Sequence, residues 1–140
     1  MTNTIPSTFN ERKVAHTIVG GMQYRGSEQR EDFCVIVLNR GRKYYRQVFF
    51  EQLLAEGFTS VISIESNSDV SDMESLSGKF PQIRFLFPQE QLTIGEMINI
   101  GFAETAAPYI MVMWNDTHIP PGSFTPRVLE KVKQEHLFCA

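Results

Sequence analysis

Four short apolar runs, each followed by a stretch with helical spacing, constrain this chain more than any other feature. The first, Phe33 to Leu38, is continuous and rich in β-branched residues, the pattern of a strand buried on both faces. Lys43 to Glu56 then places Tyr45, Val48, Phe49 and Leu53 on one helical stripe, and Gly57 supplies a stop. Ser60 to Ile64 reads as a second buried strand, and Val70, Met73 and Leu76 mark a short helix after it. Pro81 introduces a third strand, Gln82 to Phe87, and Pro88 ends it. Thr93-x-x-Glu96 is a capping box opening a helix to about Ala106. Its expected buried face is Ile94, Met97, Ile98, Gly101 and Phe102. Tyr109 to Met113 is the fourth strand. Thr125-Pro126, a cap with proline at the first helical position, leads a last helix through Val128, Leu129 and Val132.

Strands separated by helices predict an α/β fold with right-handed crossovers. The expected architecture is an open, mostly parallel sheet with helices on both faces, its four strands ordered 3-2-1-4. Residues 1–30 read as an N-terminal extension in which His16 to Tyr24 supplies a possible extra strand, interrupted by Gly20-Gly21. Residues 31–140 read as one α/β domain.

Ligands of open α/β sheets bind beyond the carboxyl ends of the strands, where the strand order reverses. In the expected order that reversal lies between the first and fourth strands. It brings Asn39-Arg40 beside Asn115-Asp116, with the loop Glu65-Ser66-Asn67-Ser68-Asp69 on the same edge. Glu65 is suited to accept hydrogen bonds from a ribose or a base N–H; equally, its loop is a solvated polar turn. Asp116, with Asn115 or Thr117, offers hard oxygen ligands for a divalent cation, or caps a turn before Pro120-Pro121. His118 reads as a partly exposed structural residue rather than a second ligand. Trp114 reads as a core residue at the strand end, with a stacking wall for a base or sugar as the alternative. Asn99 stands mid-helix, where asparagine is unfavourable without a partner. It is expected to bond a neighbouring loop, with ligand contact as the other option. Arg40 and Arg42 form a solvated basic turn or meet a diphosphate.

Nicotinamide cofactors, P-loop hydrolysis and several other chemistries are disfavoured by what these positions lack. Asn39-Arg40-Gly41-Arg42 matches neither the dinucleotide nor the P-loop glycine pattern. There is no G-x-S-x-G elbow and no Cys/His cluster with zinc spacing. The formal charge of −3, without a basic stripe, argues against nucleic-acid binding. The 42% hydrophobic and 21% charged fractions over 140 residues are those of a soluble domain with a real core. No apolar stretch is long enough to cross a bilayer. The polar N-terminus has no signal-peptide order. Of two cysteines, Cys34 is expected as a buried free thiol and Cys139 stands near the end. A cytoplasmic location is the resulting expectation.

From about Phe33 to Leu129 the chain resembles the nucleotide-binding half of family 2 glycosyltransferases, which have the A-type glycosyltransferase fold. Strand one leading into Asn39-Arg40 is similar to that family's first strand and its "Y-N-R"-like end. Ile62-Ser63-Ile64-Glu65-Ser66-Asn67-Ser68 is similar to "I-V-V-D-D-x-S", and Gln91 to Gly101 to "N-x-G-x-x-x-A-R-N-x-G". Tyr109 to Asp116 aligns without a gap on "Y-I-L-F-L-D-x-D", and Pro120-Pro121-Gly122 on the "P-x-x-L" stretch after it. Departures are specific. Glu65 replaces the aspartate that meets uracil. Trp114 takes the first aspartate position of the metal motif, so that only Asp116 matches its last. Ile98 replaces an arginine, and Thr93 a glycine.

The resemblance implies a nucleoside diphosphate sugar as donor, with Mg²⁺ or Mn²⁺ on its diphosphate held by Asp116. Asn39, Arg40, Glu65, Asn67, Asn99 and Asn115 are the implied donor-binding residues. Hexosyl transfer to an unknown hydroxyl is the implied reaction. The half of the family's fold that binds acceptor and supplies the base has no counterpart here. Such a domain belongs to a larger enzyme, is completed by a second chain, or is a degenerate non-catalytic binding or assembly module. A nucleotidyltransferase is disfavoured, because no glycine-rich basic loop follows strand one. A short version of this fold leaves a sheet edge or apolar face uncovered, so self-association is expected.

Overall fold

A computed structural model describes residues 14–21, 32–40, 43–66 and 70–135. The strands are β1 (His16–Gly20), β2 (Phe33–Asn39), β3 (Ser60–Glu65), β4 (Arg84–Pro88) and β5 (Tyr109–Trp114). The helices are α1 (Lys43–Ala55), α2 (Val70–Lys79), α3 (Ile94–Ala103) and α4 (Pro126–Glu135). One five-stranded sheet runs in the order β1-β4-β3-β2-β5. The β4–β3, β3–β2 and β2–β5 ladders are parallel; β1 pairs antiparallel with β4, from His16↔Pro88 to Gly20↔Arg84. The sheet is therefore mixed. It differs from the expected order by this added edge strand, drawn from residues expected as an extension.

The period-two alternation of β2 divides the core. Phe33, Val35 and Val37 join Phe49, Phe50 and Leu53 of α1, Leu76 of α2 and Leu129 of α4 in one cluster. Cys34, Ile36 and Leu38 join Ile62, Ile64, Leu86, Leu92 and Met97 of α3 in another. Successive side chains of a strand point to opposite faces, so one face carries α1, α2 and α4 and the other carries α3. Gly101 lets α3 lie close to β2, since a Cβ there would come within 2.8 Å of Ile36 Cγ2.

The helix signals hold at the caps. The Thr93–Glu96 capping box is present, Gly57 has φ 86°, and α4 begins at Pro126. Two expected helix faces are corrected. In α1 the buried stripe is Arg46, Phe49, Phe50 and Leu53, while Tyr45 is 54% exposed; Phe50, outside the expected stripe, packs edge-on to Phe80 and Phe85. In α3, Met97 and Gly101 are buried and Ile98 is half-buried, but Ile94 and Phe102 are exposed. They lie on the flank of α3 toward β5, where no described helix packs. Cys34 is fully buried in β2, as expected. No helix of the described residues is long and apolar enough to cross a membrane.

Candidate functional site

The rim at the carboxyl ends of β2, β3 and β5 holds the expected residues together. Asn39 and Glu65 are register partners, Leu38 pairs with Trp114, and Asn115 N–H donates to the Leu38 carbonyl at 3.4 Å. Asn39 thus stands between Glu65 and Asn115 by ladder geometry alone.

Glu65 is neither a solvated turn residue nor turned outward. It is buried on the α1 face, where Arg46 Nη1 donates to Oε2 at 2.7 Å. Ser63 hydroxyl donates to Oε1 at 2.8 Å, and Asn39 Nδ2 donates to the same oxygen at 3.2 Å and to the Ser63 hydroxyl. A carboxylate removed from water requires this degree of pairing. Glu65 therefore organises Asn39 from beneath. The sequence reading missed Arg46 and Ser63. A signal existed, since the stripe of Phe49, Phe50 and Leu53 extended back by one turn lands on Arg46.

On the α3 face a second device crosses the strand ends. Leu92 N–H donates to the Ser66 hydroxyl at 3.0 Å, and Arg40 Nη2 donates to the Leu92 carbonyl at 3.0 Å. One buried peptide thereby fastens the β4–α3 connection across β2 and β3. Arg40 is exposed at the rim while holding this contact.

Asn115 is buried and Asp116 exposed. Among the described residues, Asn39 Oδ1 and Asn115 Nδ2 are buried with no hydrogen-bond partner. One is an acceptor and the other a donor, on adjacent strand ends. Trp114 is 39% exposed, which corrects the core reading. Its in-register partner Leu38 belongs to the α3-side cluster, so the indole lies on that face.

Two expected residues fall outside this group. His118 leaves the rim: its Nδ1 meets Gln52 Nε2 of α1 at 3.0 Å, while Ile119 N–H donates to Gln52 Oε1 at 2.9 Å. Asn99 is exposed on α3. Asn67 lies outside the described residues, as do Arg42 and Cys139.

For a divalent cation the rim offers, among the described residues, the exposed carboxylate of Asp116 beside Asn115 and Thr117. Among the described residues there is no group of three His, Cys, Asp or Glu arranged to hold a metal. This donor set fits a cation that arrives with phosphate oxygens, which takes one or two carboxylates from the protein; it does not make a cage. Set against known proteins, the chain matches no protein-family model and no curated protein sequence.

Proposed function

We propose that the domain binds a nucleoside diphosphate sugar at the rim between β2 and β5, as the donor-binding part of a hexosyl transfer to an unknown acceptor. The supporting observation is the convergence of Asn39, Asn115 and Asp116 where the strand order reverses between two adjacent parallel strands. In this reading Asn39 and Asn115 border the nucleoside, contributing Asn39 Oδ1 and Asn115 Nδ2, one acceptor and one donor that no described residue pairs. Arg40 stands near the diphosphate, and Asp116 would hold Mg²⁺ or Mn²⁺ on it. The cation supplies Lewis-acid assistance to the leaving diphosphate. Trp114 presents a half-open aromatic face against which a ring can stack. Glu65 acts through Asn39, because both its oxygens face protein donors.

A second reading, a non-catalytic binding or assembly module with the same fold, is favoured by one observation. The residue aligned with the base-contacting aspartate is buried against Arg46. Calorimetric titration of UDP and UDP-sugars, with and without Mn²⁺, separates the two. Micromolar, metal-dependent binding that Asp116→Asn weakens at least tenfold supports the first. Absence of binding for every nucleotide leaves the second.

A further inference from the structure

Three buried side chains settle which atom of the Asn39 amide is left for a ligand. Asn39 Nδ2 donates to Glu65 Oε1 at 3.2 Å and to the Ser63 hydroxyl. The Ser63 proton is itself spent on Glu65 Oε1, at 2.8 Å, so the Ser63 oxygen meets Asn39 as an acceptor. Arg46 Nη1 holds the other carboxylate oxygen at 2.7 Å, which keeps the carboxylate from turning away. An inverted Asn39 amide would set Oδ1 against two acceptors, one of them charged. Asn39, Ser63, Glu65 and Arg46 are all buried, so water does not relieve that conflict.

The amide nitrogen is therefore committed to the β3 side, and Oδ1 is the atom that remains. It is buried with no hydrogen-bond partner among the described residues, as is Asn115 Nδ2 on the adjacent strand end. An orphaned buried acceptor is a cost that a ligand donor removes. We infer that Glu65 is the positioning residue that sets the hydrogen-bond polarity of the rim. It fixes Asn39 as an acceptor, so the ligand group seated there is a donor. Glu65 does this without touching the ligand, because protein donors already occupy both its oxygens. The identity of the donor rests on the nucleoside reading above; the orientation of the amide does not. In that reading the matching group is an imide or lactam N–H of the base, with the neighbouring carbonyl on Asn115 Nδ2.

Side-chain amide exchange and nucleotide titration test the two halves. In the ligand-free full chain, NMR is expected to show the Asn39 Nδ2 protons exchanging with water far more slowly than those of exposed Asn99. In calorimetry the wild type is expected to bind UDP methylated at N3, which lacks that N–H, about tenfold or more weaker than UDP. Glu65→Gln gives Asn39 a neighbour that can donate as well as accept. The Asn39 amide is then free to invert, and the folded variant is expected to bind the two nucleotides within about twofold of each other. Asn39 protons that exchange as fast as those of Asn99 would overturn the inference from the wild type alone, whether or not the variant folds. Equal affinity of the wild type for UDP and its N3-methyl form would overturn it while leaving the nucleotide reading in place. A folded Glu65→Gln that keeps the full discrimination would strip Glu65 of the role. Absence of any UDP binding would bring down the nucleotide reading and this inference together.

Discussion

Arg46 and Glu65 form a buried ion pair, 2.7 Å from Nη1 to Oε2, that ties the second turn of α1 to the end of β3. Breaking a buried pair by removing one partner leaves an uncompensated charge, at a cost of about 3–5 kcal/mol. Arg46→Met and Glu65→Leu are each expected to lower stability by that order in urea unfolding. The double variant removes the uncompensated charge and is expected to lose less than the sum of the two single losses, although Ser63 and Asn39 still lose their acceptor. Strictly additive losses would show that the two side chains do not act as a pair.

The close approach of α3 to the sheet makes its own prediction. Gly101→Ala places a methyl group 2.8 and 2.9 Å from Cγ2 and Cδ1 of Ile36, a fully buried β-branched side chain. Overpacking costs about 1–3 kcal/mol, against a helix-propensity gain of about 1 kcal/mol. Net destabilisation is expected by thermal unfolding, while Gly95→Ala, with nothing within 4 Å, is expected to stabilise. Stabilisation by both would rule out the steric account.

These two contacts show where sequence reading reaches. The apolar runs of β2 and β3, the capping box at Thr93 and the Thr125-Pro126 start were legible because local pattern and tertiary placement agree. The antiparallel pairing of β1 was not, because a short strand interrupted by Gly20-Gly21 says nothing of its partner. Tyr45 and Arg46 show tertiary placement overriding pattern: the helix face that meets the sheet carries Arg46, paired with Glu65, and Phe50, packed on Phe80 and Phe85, and leaves Tyr45 exposed. At the rim, strand order predicted the company of Asn39, Glu65 and Asn115. It did not predict that Glu65 faces inward, which depends on a cation from another element. Likewise His118 follows Gln52, a partner distant in sequence.

In the connection from β5 to α4, residues 122–124 are held by one carboxylate. Glu56 accepts from Ser123 N–H at 2.6 Å, Gly122 N–H at 3.3 Å and Phe124 N–H at 3.4 Å. Hydrogen bonds to a charged group contribute about 1.5–3 kcal/mol, reduced here by partial exposure. Glu56→Ala is expected to cost about 1–2 kcal/mol and to raise amide exchange at residues 122–124 while leaving β2 and β3 protected. Uniform loss of protection across the sheet would instead make Glu56 part of the global core.

If Asp116 takes part through a cation, its removal must act on binding and leave folding intact. Asp116 is exposed, and substitutions at such positions change stability by about 0.5 kcal/mol or less. Asp116→Asn is expected to melt with the wild type and to lose the Mn²⁺-dependent increment in UDP affinity, keeping any metal-independent part. Equal UDP affinity with and without Mn²⁺ in both proteins would remove the metal from the reading.

Asp32 and Lys133 fasten the last turn of α4 beside the start of β2, and Lys133 also lies over the rings of Phe33 and Tyr109, at 5.4 and 5.8 Å. The hydrogen bond from Lys133 holds the Asp32 carboxyl below its usual 3.8, and the same bond holds the ammonium above its usual 10.5. A depressed carboxyl contributes stability above its unfolded value and loses it as pH falls through the folded one. A raised ammonium contributes below its unfolded value and loses it as pH rises through the folded one. The melting-temperature difference between wild type and Lys133→Met is therefore expected to be largest between these limits. It should shrink on acidification below 3.8 and on alkalisation above 10.5. A difference that stays constant through both limits would mean that Lys133 acts through its apolar stem on Phe33 and Tyr109 rather than through charge.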